Sequence, residues 1–298
     1  MEKRLEPVAE QELWKSIRGL VKNRIRVEYG QGTPFFRLGD SKFGGKPHLP
    51  ADFVWPWYKG ERLGCQNRRL VKIPVNRPLS FLLQINLAET APLDKDGLLP
   101  RGGLLSFFYE LDSQPWGYDP KHRGAARVFW FPAETKLVET DFPCEMEEDF
   151  RLPELSLHLE AAPSLPGWDD LETLAPETAG QLEDGYRDLR KTYGCSPQYA
   201  SHLLGYPDLI QNPMAAECEQ VTRGYNCGSG PVPLSPEERA EIAAASRDWL
   251  LLFQMGTVDD GEDFELMFGD CGCIYFWVKR QDLAAKDFSK IWLILQSS

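Results

Sequence analysis

Positive charge is in short supply. The chain's 298 residues hold 33 Lys and Arg against 45 Asp and Glu, a formal charge of −12. That shortage argues against direct nucleic-acid binding, because neutralising phosphates takes clustered cations. It suits solubility and rapid association with basic partners. Long apolar runs are missing as well: a run such as Trp249-Leu250-Leu251-Leu252-Phe253 falls far short of the ~20 residues of a membrane helix. The charged start Met1-Glu2-Lys3-Arg4 leads into no apolar signal core. Seven cysteines, an odd number, follow no regular spacing, so free and mostly buried thiols in a reducing cytoplasm are expected. Membrane and nucleic-acid partners are not expected. Catalytic signatures are absent too: no G-x-S-x-G, HExxH, P-loop or G-x-G-x-x-G opening a helix after a strand. No catalytic residue, cofactor or metal is assigned, and a non-enzyme is favoured over an enzyme.

What is present is a repeat. Leu82-Leu83-Gln84-Ile85 is followed by Gly103-Leu104-Leu105-Ser106-Phe107-Phe108, and Leu252-Phe253-Gln254-Met255 by Gly272-Cys273-Ile274-Tyr275-Phe276-Trp277. Upstream, Gly45-Lys46-Pro47-His48-Leu49 is answered by Gly205-Tyr206-Pro207-Asp208-Leu209. Two copies of one unit imply an internally duplicated, pseudo-two-fold body. The expected division is an N-terminal helix (1–29), a first repeat (30–150), a connector (151–178) and a second repeat (179–298), packed as one body.

Residues 10–26 read as an amphipathic helix, with Leu13, Ile17, Leu20 and Val21 on one stripe and Lys15, Arg18 and Lys22 outside it. The Pro- and Trp-rich stretch through Pro47, Pro50, Trp55, Pro56 and Trp57 reads as ordered irregular chain. Strands are expected at 79–85, 103–109 and 126–131, and again at 249–255, 273–278 and 291–295. The prolines and acids of 150–178 read as a connector. Leu182, Tyr186, Leu189 and Tyr193 recur at helical spacing, with Gly194 as a stop. Ser235-Pro236-Glu237-Glu238 carries a capping box that opens a helix running to about Arg247. Strands that do not alternate regularly with helices point to α+β, mainly antiparallel sheets with peripheral helices.

Several groupings carry candidate chemistry. Asp259, Asp260, Glu262, Asp263 and Glu265 crowd into seven positions; they suit a solvated hairpin tip, a protein contact or a hard cation. Glu145, Glu147, Glu148 and Asp149 form a second acidic group. Trp116 and Tyr118, in the Asp112–Pro120 loop, are candidate aromatic anchors or ordinary loop packing. Gln84 and Gln254 occupy equivalent places within apolar strands, where a buried amide must be satisfied; they bridge the repeats or meet a ligand between them. Asp270 organises a turn or joins that ligand site. Cys195, His202, Cys218 and Cys227 offer four zinc-type donors, but no C-x₂₋₄-C pair is present.

With these motifs in order, the chain resembles the YwqG-like proteins, a bacterial domain family of unknown function. The matching pieces are Gly44-Gly45-Lys46-Pro47-His48-Leu49-Pro50, Trp55-Pro56, Leu79 to Ile85, His202 to Pro207, Leu250 to Gln254, Phe268 to Phe276 and Asp282-Leu283. The resemblance runs from about residue 38 to the end. It implies a duplicated α+β body and gives no catalytic residues to carry over. Met255-Gly256-Thr257 departs from the acidic residue usual after the second glutamine, which weakens ion binding there. By analogy, the resemblance also implies a setting beside secreted bacterial toxins, where small acidic proteins serve as immunity partners. The leading expectation is therefore an immunity protein that occludes a basic toxin, a nuclease being the fitting kind. The alternative is a small-ligand binder or enzyme using the groove between repeats, with Gln84, Gln254 and Asp270 around it.

Overall fold

The computed structural model describes residues 14–30, 35–66, 68–175, 177, 183–193 and 200–298. Its frame is one ten-stranded sheet in which every neighbouring pair is antiparallel. Two strands lie in the middle, β1 (Lys22–Tyr29) and β10 (Leu155–Ser164), paired from Lys22↔Ser164 to Tyr29↔Leu157. Beyond β10 come β2 (Lys42–Phe43), β6 (Ser80–Asn86), β7 (Leu104–Tyr109) and β8 (Ala126–Phe131). Beyond β1 come β11 (Ser201–Leu203), β12 (Trp249–Met255), β15 (Cys273–Lys279) and β16 (Trp292–Gln296).

Strand alternation decides what each face meets. On β7, Leu105, Phe107 and Tyr109 enter the main core, while Phe108 joins a separate outer cluster. On β15, Ile274, Phe276 and Val278 face the same main core; Cys273, Tyr275 and Trp277 face outward. The sheet curls around that core, since the Phe107 ring lies 5.1 Å from Phe253 and 5.2 Å from Phe276 on the opposite arm. Its edges draw near each other: Lys286, just before β16, sits 4.7 Å over the Trp130 ring of β8. The result is a nearly closed, mostly antiparallel body with few helices, in keeping with α+β.

Three layers cover the outside. The long hairpin of β4 (Trp57–Gln66) and β5 (Arg69–Pro78) sets Tyr58 and Val75 against Phe81 and Phe108. Beside it β3 (His48–Pro50) pairs with β9 (Leu137–Glu139). Helix α1 (Ala215–Thr222) presses Cys218 and Val221 onto Trp249, Tyr275 and Trp277. Over the middle strands, Ile17, Leu165, Leu171, Tyr186 and Leu189 form a third cluster.

Three sequence expectations fail. Residues 10–26 are not one helix: helix covers 14–17, a 3-10 turn Arg18–Leu20, and β1 begins at Lys22. The stripe at Ile17, Leu20 and Val21 fits a helical period, but Ile25 and Val27 alternate with Arg24 and Arg26, which is a strand period. Leu13 lies outside the described residues. Nor is 151–178 a mere connector, because it supplies β10 at the centre of the sheet and the helix Trp168–Leu174. Pro163, opposite Asn23, sits one residue from the strand's end, where a missing N–H is tolerated. The Pro- and Trp-rich region is also more regular than expected, carrying β3, β4 and β5. The later helix spans Glu183–Thr192, with Leu182 and Gly194 outside the described residues. The capping box forms: Glu238 N–H donates to Ser235 Oγ at 3.1 Å, and Ser235 N–H to Glu238 Oε2 at 2.7 Å.

Candidate functional site

The loop after β7 is held from its root to its tip. Glu110, 1% exposed, accepts Asp112 N–H at 3.0 Å and Ser113 N–H at 2.9 Å, and the Ser113 hydroxyl donates to it as well. Tyr109 Oη donates to Pro115 O at 3.1 Å. Further along, Leu295 N–H donates to Trp116 O and the Trp292 indole to Gly117 O, at 3.0 and 2.8 Å, so the loop seals the β16 edge. Gly117 adopts φ +84°, and a Cβ there would collide with Leu293 O. Trp116 stands out of this clamped loop, 40% exposed. Tyr118 does not: it packs at the outer cluster under α1, and burial beside Glu217 drives its hydroxyl pKa far up.

Two acidic segments meet the same loop. Gln114 donates to Met267 O at 3.2 Å and accepts Gly269 N–H at 2.9 Å, tying the loop to the chain just after the Asp259–Glu265 hairpin. In that hairpin β13 (Val258–Asp259) pairs with β14 (Glu265–Leu266). Asp259 accepts Gly261 N–H, and Asp260 accepts Glu262 and Phe264 N–H, so two of the five carboxylates also build the turn. Glu262, Asp263 and Glu265 are exposed. On the other side, Arg77 Nη1 reaches Asp112 at 3.1 Å and Glu147 at 3.9 Å. Glu145, Glu148 and Asp149 lie exposed around buried Met146. The loop is thus tied to the chain just past one acidic segment and, through Arg77, to Glu147 of the other.

Beneath the β4–β5 hairpin lies a cavity of about 740 Å³, and a second of about 590 Å³ adjoins it through Glu61, Arg62, Asp119 and His122. Trp116 and Tyr118 line the second. His122 Nδ1 accepts Gly117 N–H at 3.0 Å, and burial lowers the ring's pKa, so the neutral imidazole carries its proton on Nε2. Sequence reading singled out neither the hairpin nor its cavity, because no local motif marks them.

Gln84 and Gln254 line neither of these cavities. Both are fully buried. Gln84 accepts His48 N–H at 2.9 Å and donates to Asp40 O at 2.7 Å; Gln254 accepts Asp208 N–H at 2.8 Å and donates to Ala200 O at 2.9 Å. Phe107, Phe253 and Phe276 fill the space between the arms. Both amides thus spend these hydrogen bonds on neighbouring backbone, the structural role that the sequence also allowed them. Asp270 is exposed in a tight turn, with its carbonyl accepting Ser298 N–H and Oγ–H.

Buried charge collects around Asp208, 2% exposed: Arg24 Nη1 at 3.3 Å, Arg190 Nη2 at 3.0 Å and His202 Nε2 at 3.5 Å. His202 Nδ1 lies 2.9 Å from Leu204 O, while the buried Nε2 makes no hydrogen bond and only approaches Asp208. Cys218 and Cys227 belong to the outer cluster under α1, where burial raises both thiols, and Cys195 lies outside the described residues. Among the described residues no three His, Cys, Asp or Glu side chains gather as a metal site. No helix among them is long and apolar enough to cross a membrane. Glu217 on α1 is pushed up to about 7 by burial, and its Oε2 has no hydrogen-bond partner.

No curated protein matches the chain. A family model described as a domain of unknown function, DUF1963, matches residues 41–297, and the chain belongs to that family.

Proposed function

We propose that this protein is a protein-binding module that engages a basic partner through the clamped 112–118 loop and its two acidic flanks. The carrying observation is that Gln114 and Arg77 join Trp116's loop to both carboxylate segments. A rigid aromatic between acidic rims is the usual division of labour at an interface: the rim steers encounter and the anchor slows escape. An immunity protein that occludes a basic toxin, such as a nuclease, has this form, and the YwqG-like resemblance leans the same way. The decisive experiment co-expresses the chain with its neighbouring gene product and purifies at low salt. A complex that falls apart as salt rises supports the reading; no complex at low salt overturns it.

We further read the body as an internal duplication about a pseudo-two-fold axis between β1 and β10. In support, both arms carry a bulge, at Phe81/Leu83 and Leu251/Phe253. Lys42 pairs with Gln84 as His202 pairs with Gln254. Gly44 and Gly45 have positive φ, as do Leu204 and Gly205. On this reading the repeats begin at β1 and β10 rather than at 30 and 179, and exchange those first strands: β1 pairs with β11, and β10 with β2.

A further inference from the structure

The larger cavity beneath the hairpin runs against the charge of the whole chain. Lys59, Arg62, Lys72 and Lys121 line it, against only Glu61 and Asp119. With 45 acids to 33 bases overall, an arbitrary patch would lean acidic. The two carboxylates are already occupied. Glu61 holds Lys72 at 2.9 Å; Asp119 accepts Lys121 N–H at 2.9 Å and the Asn226 side-chain amide at 2.8 Å. Arg62 shares Asp112, at 3.5 Å, with Arg77. Among the described residues, no carboxylate lies within ion-pair distance of Lys59 or Lys121. The cavity therefore keeps unspent positive charge.

Its floor is apolar and fixed. Tyr58 is 1% exposed and Val75 4%, both packed on the outer cluster, and Pro74 continues the wall. Gly60 makes room for the Tyr58 ring, since a Cβ there would strike its hydroxyl. The His122 imidazole adds an N–H donor from the loop side. About 740 Å³ falls within the range of small-molecule sites, about 300–1,000 Å³.

We propose that this cavity binds a small organic oxyanion, its phosphate or carboxylate held by Lys59 and Lys121 and its apolar body lying on Tyr58, Pro74 and Val75. The site goes beyond the partner-binding reading and uses neither Trp116 nor the acidic flanks. Calorimetric titration of the full chain with phenyl phosphate, benzoate, phenol and inorganic phosphate tests it. Phenyl phosphate or benzoate binds saturably, and the tighter of the two names the oxyanion. Phenol and inorganic phosphate each bind at least about tenfold more weakly, a loss of ~1.4 kcal/mol. Lys59→Ala with Lys121→Ala weakens binding at least about tenfold and leaves the unfolding midpoint in place, because both side chains are exposed. The proposal is overturned if neither aromatic anion binds at millimolar concentration, if phenol or inorganic phosphate binds as well, or if the double variant binds undiminished. Partner capture is unaffected by the double variant, so the two readings fail separately.

Discussion

Asp208 N–H donates to Gln254 Oε1 at 2.8 Å, across 46 residues of chain, and His48 N–H donates to Gln84 Oε1 in the same way at 2.9 Å. Each glutamine sits inside an apolar strand yet acts on the backbone of a glycine turn beside it. The turns need that help. Gly44-Gly45 and Leu204-Gly205 all have positive φ, which turns the chain out of the sheet just after Phe43 and Leu203 make their last ladder pairs. The glutamine amide supplies one acceptor and one donor where the ladder stops.

Gln254→Leu should therefore destabilise far more than an isosteric swap suggests. It leaves Asp208 N–H and Ala200 O without their partner. Unsatisfied buried groups cost about 1–3 kcal/mol each, partly offset by leucine's apolar surface, so a net loss of about 2–4 kcal/mol is expected. Urea unfolding measures it as a lower midpoint at unchanged slope. A loss below about 0.5 kcal/mol would show that the turn keeps its shape without the amide.

Asp208→Asn tests the charge at that turn. The carboxylate faces Arg24, Arg190 and His202, and Arg24 is itself 1% exposed. Removing one partner of a buried ion pair leaves the other charge uncompensated, which costs about 3–5 kcal/mol. Denaturation of Asp208→Asn beside Arg190→Ala separates the sites. Arg190 is less buried than Arg24, so its loss should cost less.

The six repeat strands were legible because β-branched and aromatic runs alternate there and because the two halves spell them similarly. The central pair β1 and β10 was not. Arg24 and Arg26 in β1, and His158 and Glu160 in β10, look like solvated positions, yet Arg24 is buried against Asp208 by contacts 184 residues away. Trp116 and the acidic groups were visible as residue types. Their adjacency was not, since it rests on Gln114 and Arg77, neither of which stands out in the sequence. The cavity depends on a hairpin folded over the sheet, a tertiary relation with no local spacing to betray it.

Glu217 gives a pH signature. Burial alone lifts it from an ordinary carboxyl value to about 7. A carboxyl whose folded pKa is raised binds more protons folded than unfolded between about 4.5 and 7, so stability falls across that window as pH rises. The carboxyl is part-buried, so the full shift is discounted to about 1–2 kcal/mol. Glu217→Gln should remove the decline and be the more stable protein at pH 8. Thermal unfolding at pH 5 and pH 8 reads this directly; parallel curves for both proteins would mean that Glu217 titrates normally.

Glu110 decides how rigid the partner-facing loop is. Its two oxygens divide the work, Oε1 taking Asp112 N–H and Oε2 taking Ser113 N–H and Oγ–H. Glutamine keeps the volume but replaces one acceptor with an N–H₂ donor, so either Asp112 or Ser113 then faces donor to donor. The expected cost is about 1–3 kcal/mol, borne locally because the rest of the loop is tied to Met267, Gly269 and β16 by separate bonds. In Glu110→Gln, hydrogen exchange should quicken at Asp112 and Ser113 while the amide of Leu295, bonded to Trp116 O, stays protected. With the anchor less preorganised, capture of a basic partner should weaken through faster dissociation, its low-salt association rate unchanged because the acidic flanks remain. Slower association with unchanged dissociation would mean that the loop's rigidity plays no part in holding the partner.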